Sequence, residues 1–109
     1  MLGLFEGEKH SPKRTCTIEY LVFGLTALPD GSPPKLLEVW LEVEGDPPTR
    51  VDFSTLVGGS GDIIRLVPDR QWRDVVLRAG TTITLHGIRP KSIATLFVDV
   101  DETALEEPI

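Results

Sequence analysis

The sequence predicts an all-β domain, and three observations lead there. Ten Val, ten Thr and seven Ile make about a quarter of the 109 residues β-branched, against only four Ala; that mixture suits pleated, half-buried surfaces better than helices. Clusters of Pro, Gly and Asp cut the chain at intervals of roughly 8–15 residues, the spacing of turns in sandwiches and barrels. No stretch repeats its apolar positions with the 3.6-residue period of a helix over ten or more residues. The expected architecture is an antiparallel sandwich of about seven strands, immunoglobulin-like or jelly-roll-like, with a small barrel as the alternative.

The first long strand is expected over 14–25. Cys16, Ile18, Tyr20 and Val22 share one face, with Thr15, Thr17 and Glu19 opposite and then Leu21, Phe23 and Leu25, so the strand reads as buried on both sides at its end. PDGSPP at 29–34 is a turn that no regular element crosses. Over 36–44, Leu37, Val39, Leu41 and Val43 alternate with Glu38, Trp40, Glu42 and Glu44, the pattern of a half-exposed strand, ended by GDPP at 45–48. Short strands at 50–53 and 62–67 flank the glycines of VGGSGD. Strands at 74–79 and 81–88 read as a hairpin about Ala79-Gly80, and 92–100 is the last strand. One helical turn is expected around Asp69–Arg73. The chain divides into an N-terminal arm (1–13), a β domain (14–100) and an acidic C-terminal tail (101–109).

Charge narrows the function classes. Seventeen acids against eleven bases give a net charge of −6, the wrong sign for a surface that coats nucleic acid. The apolar runs are far below the roughly 20 residues needed to span a bilayer. With one cysteine, Cys16, no intrachain disulfide forms, and the start MLGLFEGEKH lacks the apolar stretch of a signal peptide. The expected setting is the cytoplasm, or an assembly such as a virion put together there.

Chemistry-bearing residues are few. His10, His86 and Cys16 stand apart, without the close pairs of a zinc site. Cys16, on a face with Ile18 and Tyr20, reads as a small core residue rather than a nucleophile. The glycines at 58, 59 and 61 lead into a strand, where a phosphate loop would enter a helix. No catalytic residue, cofactor or metal site is expected.

Two stretches resemble known families. LFVDVDETAL at 96–105 resembles motif I of the haloacid dehalogenase-like phosphatases, a resemblance that implies Asp99 as nucleophile and Asp101 as general acid/base, with Thr103 following. That chemistry also needs a Mg²⁺ site completed by further acids, plus a Lys and a Ser or Thr for the phosphate, on a parallel sheet. VVLRAGTTITLHGI followed by IATLFVDV is similar to the closing strands of family 6 and 35 carbohydrate-binding modules, which implies a sugar-stacking site on aromatic side chains.

Recognition is expected at two places. Trp40, outward between Glu38 and Glu42, and Trp72, in the loop PDRQWRD, are candidate contact residues, since Trp is enriched at interface hot spots. Leu2, Leu4 and Phe5 form an apolar N-terminal tip suited to docking on a neighbour. Basic residues gather at 9–14 while 99–107 holds five acids and no base; opposite-sign ends suit head-to-tail contact between copies. The expected function is therefore a non-enzymatic subunit of a larger assembly, with protein partners or copies of itself, and without nucleic acid or membrane. A small-ligand or carbohydrate-binding module is the alternative.

Overall fold

A computed structural model describes residues 1–29, 37–56 and 62–100, with only the backbone of Thr55 and Leu56. The chain is all-β, as its composition requires. Its strands are β1 (Leu2–Phe5), β2 (Lys9–His10), β3 (Cys16–Gly24), β4 (Trp40–Val43), β5 (Thr49–Leu56), β6 (Ile63–Pro68), β7 (Val76–Leu77), β8 (Ile83–His86) and β9 (Ile93–Val100). Among the described residues two 3-10 turns, Leu25–Ala27 and Arg70–Trp72, interrupt them, the second where one helical turn was expected. The sheet runs β1-β9-β3-β6-β5-β4-β8-β2, every neighbour antiparallel, with β7 beside β3. It curls into a nearly closed barrel, the second of the two expected architectures. β4, β5 and β6 form a meander that returns to lie beside β3, a Greek-key path.

The barrel is closed by the residues expected to be an arm. β1 pairs with β9, Leu2 opposite Leu96 and Phe5 opposite Ile93, while β2 pairs with β8, His10 opposite Ile83. Between them Gly7, at φ 74°, turns the chain. Its N–H donates to the Leu85 carbonyl at 2.8 Å, and Glu6 Oε1 accepts from the Gly87 N–H at 2.9 Å. Leu4 lies fully inside. The alternation Leu2, Leu4 in and Gly3, Phe5 out is thus that of a sheet strand.

β3 also departs from expectation. Its register on β9 slips between Ile18 and Tyr20, leaving Glu19 as an extra residue. Such a bulge reverses the inward phase: Cys16 and Ile18 point in before it, Leu21 and Phe23 after it. One face of the strand is therefore buried throughout, and Tyr20 and Val22 turn outward. The expected hairpin at Ala79-Gly80 does not form either. β7 pairs with Cys16 and Thr17 of β3, whereas β8 crosses to β4 and β2. β6 and β7 instead occupy successive stretches of the same edge of β3, and residues 69–75 leave the barrel between them.

The core is one cluster around Leu4, Leu21, Leu41, Leu66, Leu85 and Leu96, each at most 1% exposed. The GDPP turn contains a cis Asp46–Pro47 peptide. Most of the PDGSPP turn, the glycine loop and the acidic tail lie outside the described residues. No helix among the described residues is long and apolar enough to cross a membrane.

Because Leu4 fills the core at the closing seam, Leu4→Ala is expected to cost about 2–5 kcal/mol, read as a shift in denaturation midpoint. A Leu4 docked on a neighbour instead would leave the monomer's stability unchanged.

Candidate functional site

β4 alternates as its sequence demands, with Val39, Leu41 and Val43 inward and Trp40 and Glu42 on the outer face. Register then decides what surrounds the indole. Trp40 stands opposite His86 of β8 and Asp52 of β5. The His86 ring stacks on it at 4.3 Å between centroids and 21° between planes, and from the other side of β4 the Arg50 guanidinium lies 4.4 Å from the ring centroid. Arg50 is held there by donating from Nε to Asp52 Oδ1 at 2.9 Å and from Nη2 to Glu38 Oε1 at 3.2 Å. The Asp52 bond raises its already high pKa further. Glu42 Oε1 lies 3.5 Å from His86 Nε2.

The cluster explains why an outward indole is tolerated. His86 and Arg50 flank Trp40 from strands on opposite sides, so the ring is a half-buried part of the sheet's own outer lattice. A cation–π contact at an exposed site adds about 0.5–1 kcal/mol. A sugar stacking on this indole would have to displace one of those neighbours. Trp72 has a different role: its ring packs against the core from the 3-10 turn, with Nε1 buried and unpartnered. Among the described residues the two tryptophans share no ring contact.

The N-terminal candidates separate by face. Leu2 and Leu4 point into the barrel and Phe5 points out. Phe5 lies opposite Ile93 on the outer surface, and Ile63 stands opposite Gly24 two strands further on. Phe5, Ile93 and Ile63 are 38%, 55% and 52% exposed. They form one transverse apolar row across β1, β9, β3 and β6, with the bare Gly24 as a shelf in its middle. Beside it Tyr20 stacks on Phe97 at 4.7 Å, and the Arg65 guanidinium lies 4.6 Å from the tyrosine ring. Sequence reading missed this row, because it exists only once strands far apart in the chain are paired.

Asp99 projects from the exposed face of β9, on an antiparallel strand opposite Thr17. Asp101 and Thr103 lie outside the described residues. Cys16 is buried, and burial pushes its thiol pKa up, away from the activated nucleophile. No group of three or more His, Cys, Asp or Glu able to hold a metal gathers among the described residues.

One backbone contact supports the Trp40 face. Gly87 has φ 108°, and a Cβ there would sit 2.1 Å from the Glu38 carbonyl oxygen and 2.9 Å from the Val39 Cα. Gly87→Ala is therefore expected to cost about 2–5 kcal/mol by backbone strain and overpacking, and to alter the near-UV signal of Trp40. For the indoles, Trp72→Ala is expected to cost about 2–4 kcal/mol through lost packing. Trp40→Ala should cost about 1 kcal/mol. A chemical denaturation series that ranked them the other way would place Trp40, not Trp72, in the core.

No protein-family model matches this chain, and neither a curated protein nor a solved structure matches it significantly.

Proposed function

We propose that this chain is a non-enzymatic structural subunit of a larger assembly, contacting copies of itself or other protein subunits through its outer surface. The supporting observation is the row Phe5, Ile93 and Ile63: three of the five large hydrophobics exposed among the described residues line up across four adjacent strands. Scattered exposed hydrophobics need no explanation, but contiguous ones mark contact sites. The row is flat at Gly24 and flanked by a ring pair and by Arg65, an apolar centre with a polar edge of the kind interfaces have.

A virion component, such as a capsid-decorating, connector or tail protein, is the assembly we propose; its subunits are made and joined in the cytoplasm. The reading rests on the small barrel, the apolar row and the net charge of −6, which disfavours nucleic acid as a partner. The carbohydrate-binding alternative has less support, because Trp40 is flanked by His86 and Arg50 and Trp72 packs on the core. The buried Cys16 and the antiparallel setting of Asp99 likewise favour a role without catalysis.

Solution mass by light scattering tests this reading. Wild type is expected to self-associate, and Ile93→Asp to weaken that association about tenfold or more while leaving the near-UV spectrum and thermal midpoint unchanged. Monomeric wild type at high concentration, with Ile93→Asp indistinguishable from it, would remove the self-assembly reading.

A further inference from the structure

β3 carries apolar residues on both of its faces, Leu21 and Phe23 inward and Tyr20 and Val22 outward. A strand apolar on both faces is suited to being covered on both, and the barrel covers only the inner one. On the outside Tyr20 pairs with Phe97 and Val22 with Thr95, and the same register carries Gly24 alongside Ile93. These six residues hold no charge, in a chain of net charge −6. Two copies meeting along this strip bring no acids together.

The strip matches itself about the line between β3 and β9. Tyr20 and Phe97 are an aromatic pair stacked at 4.7 Å, and Val22 and Thr95 are β-branched side chains of nearly the same shape. The third pair is unequal. Ile93 is exposed, whereas a Cβ on Gly24 would meet only Thr26 Oγ1, at 3.7 Å, among the described residues. Ile93 leans away from that recess, its Cδ1 3.5 Å from where a Cβ would stand on Gly3. A half-turn about the line lays aromatic over aromatic and Val22 over Thr95, and it sets each Ile93 over the other copy's Gly24. Phe5 and Ile63, which end the same row on either side, are then opposed as well.

We propose that this face packs on the same face of a second copy, as a twofold dimer in which each Ile93 fills the recess above the partner's Gly24. The proposal rests on the assembly reading above and deepens it by naming the partner and the contact. The facing patch is four strands wide and about five residues long, on the order of 300 Å² in projection. A standard interface takes roughly 800 Å² from each partner, so this contact is weak and forms as the protein is concentrated. A twofold contact uses the same patch on both chains and closes at two copies.

Solution mass of the full-length chain, followed up to about 1 mM, tests the proposal. Wild type is expected to rise from one copy to two and level off. Gly24 is extended, at φ −77° and ψ 150°, so Gly24→Val fits the strand and should not lower the thermal midpoint. The valine adds apolar surface, and association driven by area alone would strengthen. With the recess filled it is expected to weaken about tenfold or more. Ile93→Ala, which removes the side chain that fills the recess, is expected to weaken it about tenfold. Mixed one to one, the two variants should associate more tightly than either alone, because the added valine of one then faces the added alanine of the other. Methyl NMR signals of Ile93, Ile63 and Val22 should shift with concentration, and the Trp40 indole signal should not.

Gly24→Val that associates as well as wild type, or better, overturns the proposal; if Ile93→Asp still abolishes association, the assembly reading stands. A mixture no tighter than its components overturns the proposal. So does a mass that climbs past two copies and is abolished by Gly24→Val, the signature of a head-to-tail contact. Wild type that stays monomeric throughout overturns both the proposal and the self-assembly reading.

Discussion

Leu2–Phe5 bonds to the last strand of the chain, and only a few residues later Lys9–His10 bonds to the strand before it. Everything else in the molecule depends on that double engagement. A curved sheet left open would expose the unpaired edges of β8 and β9 and uncover Leu85 and Leu96. By pairing with both, one short turn about Gly7 converts an open sheet into a nearly closed barrel, with Leu4 set inside as the wedge.

The outer surface follows from the barrel in two unlike halves. Across β4, β5 and β8 an aromatic ring is enclosed by polar side chains: Trp40 between His86 and Arg50, with Arg50 fastened by Glu38 and Asp52. Exposed ion pairs of this kind add little stability individually, and their effect here is to occupy a surface. Across β1, β9, β3 and β6 the reverse holds, and Phe5, Ile93 and Ile63 stand uncovered. One half is covered by its own charged and polar side chains; the other leaves its apolar row exposed. This asymmetry gives the assembly reading a direction on the molecule.

What could be read from the sequence was whatever depends on neighbours two positions apart. The alternation of β4 was plain, and with it the outward position of Trp40. β3 was harder: from Tyr20 to Phe23 every residue is apolar, so either inward phase satisfied the pattern, and a bulge at Glu19 has no local signature. The flanks of Trp40 come from residues ten and forty-six positions away, and only pairing register brings them there. The N-terminal segment shows the same limit from the other side. Leu2 and Leu4 already had the period of a strand, but four residues at a chain end look like an arm until β8 and β9 are seen to need them. The Ala79-Gly80 turn failed for a related reason, since a tight turn permits a hairpin without requiring its two strands to pair.

The closure also sets an order in time. Leu2 pairs with Leu96, 94 positions along the chain, so β1 must wait for β9 to be made before it can pair. Until then Leu2, Leu4 and the facing wall of the barrel have no partners, and the loop to be closed spans 94 positions. Contacts of such long range slow folding, and the half-made barrel presents sticky strand edges meanwhile. A protein built this way closes at β1 and β9 last, so substitutions in its first ten residues should change its unfolding rate more than its folding rate.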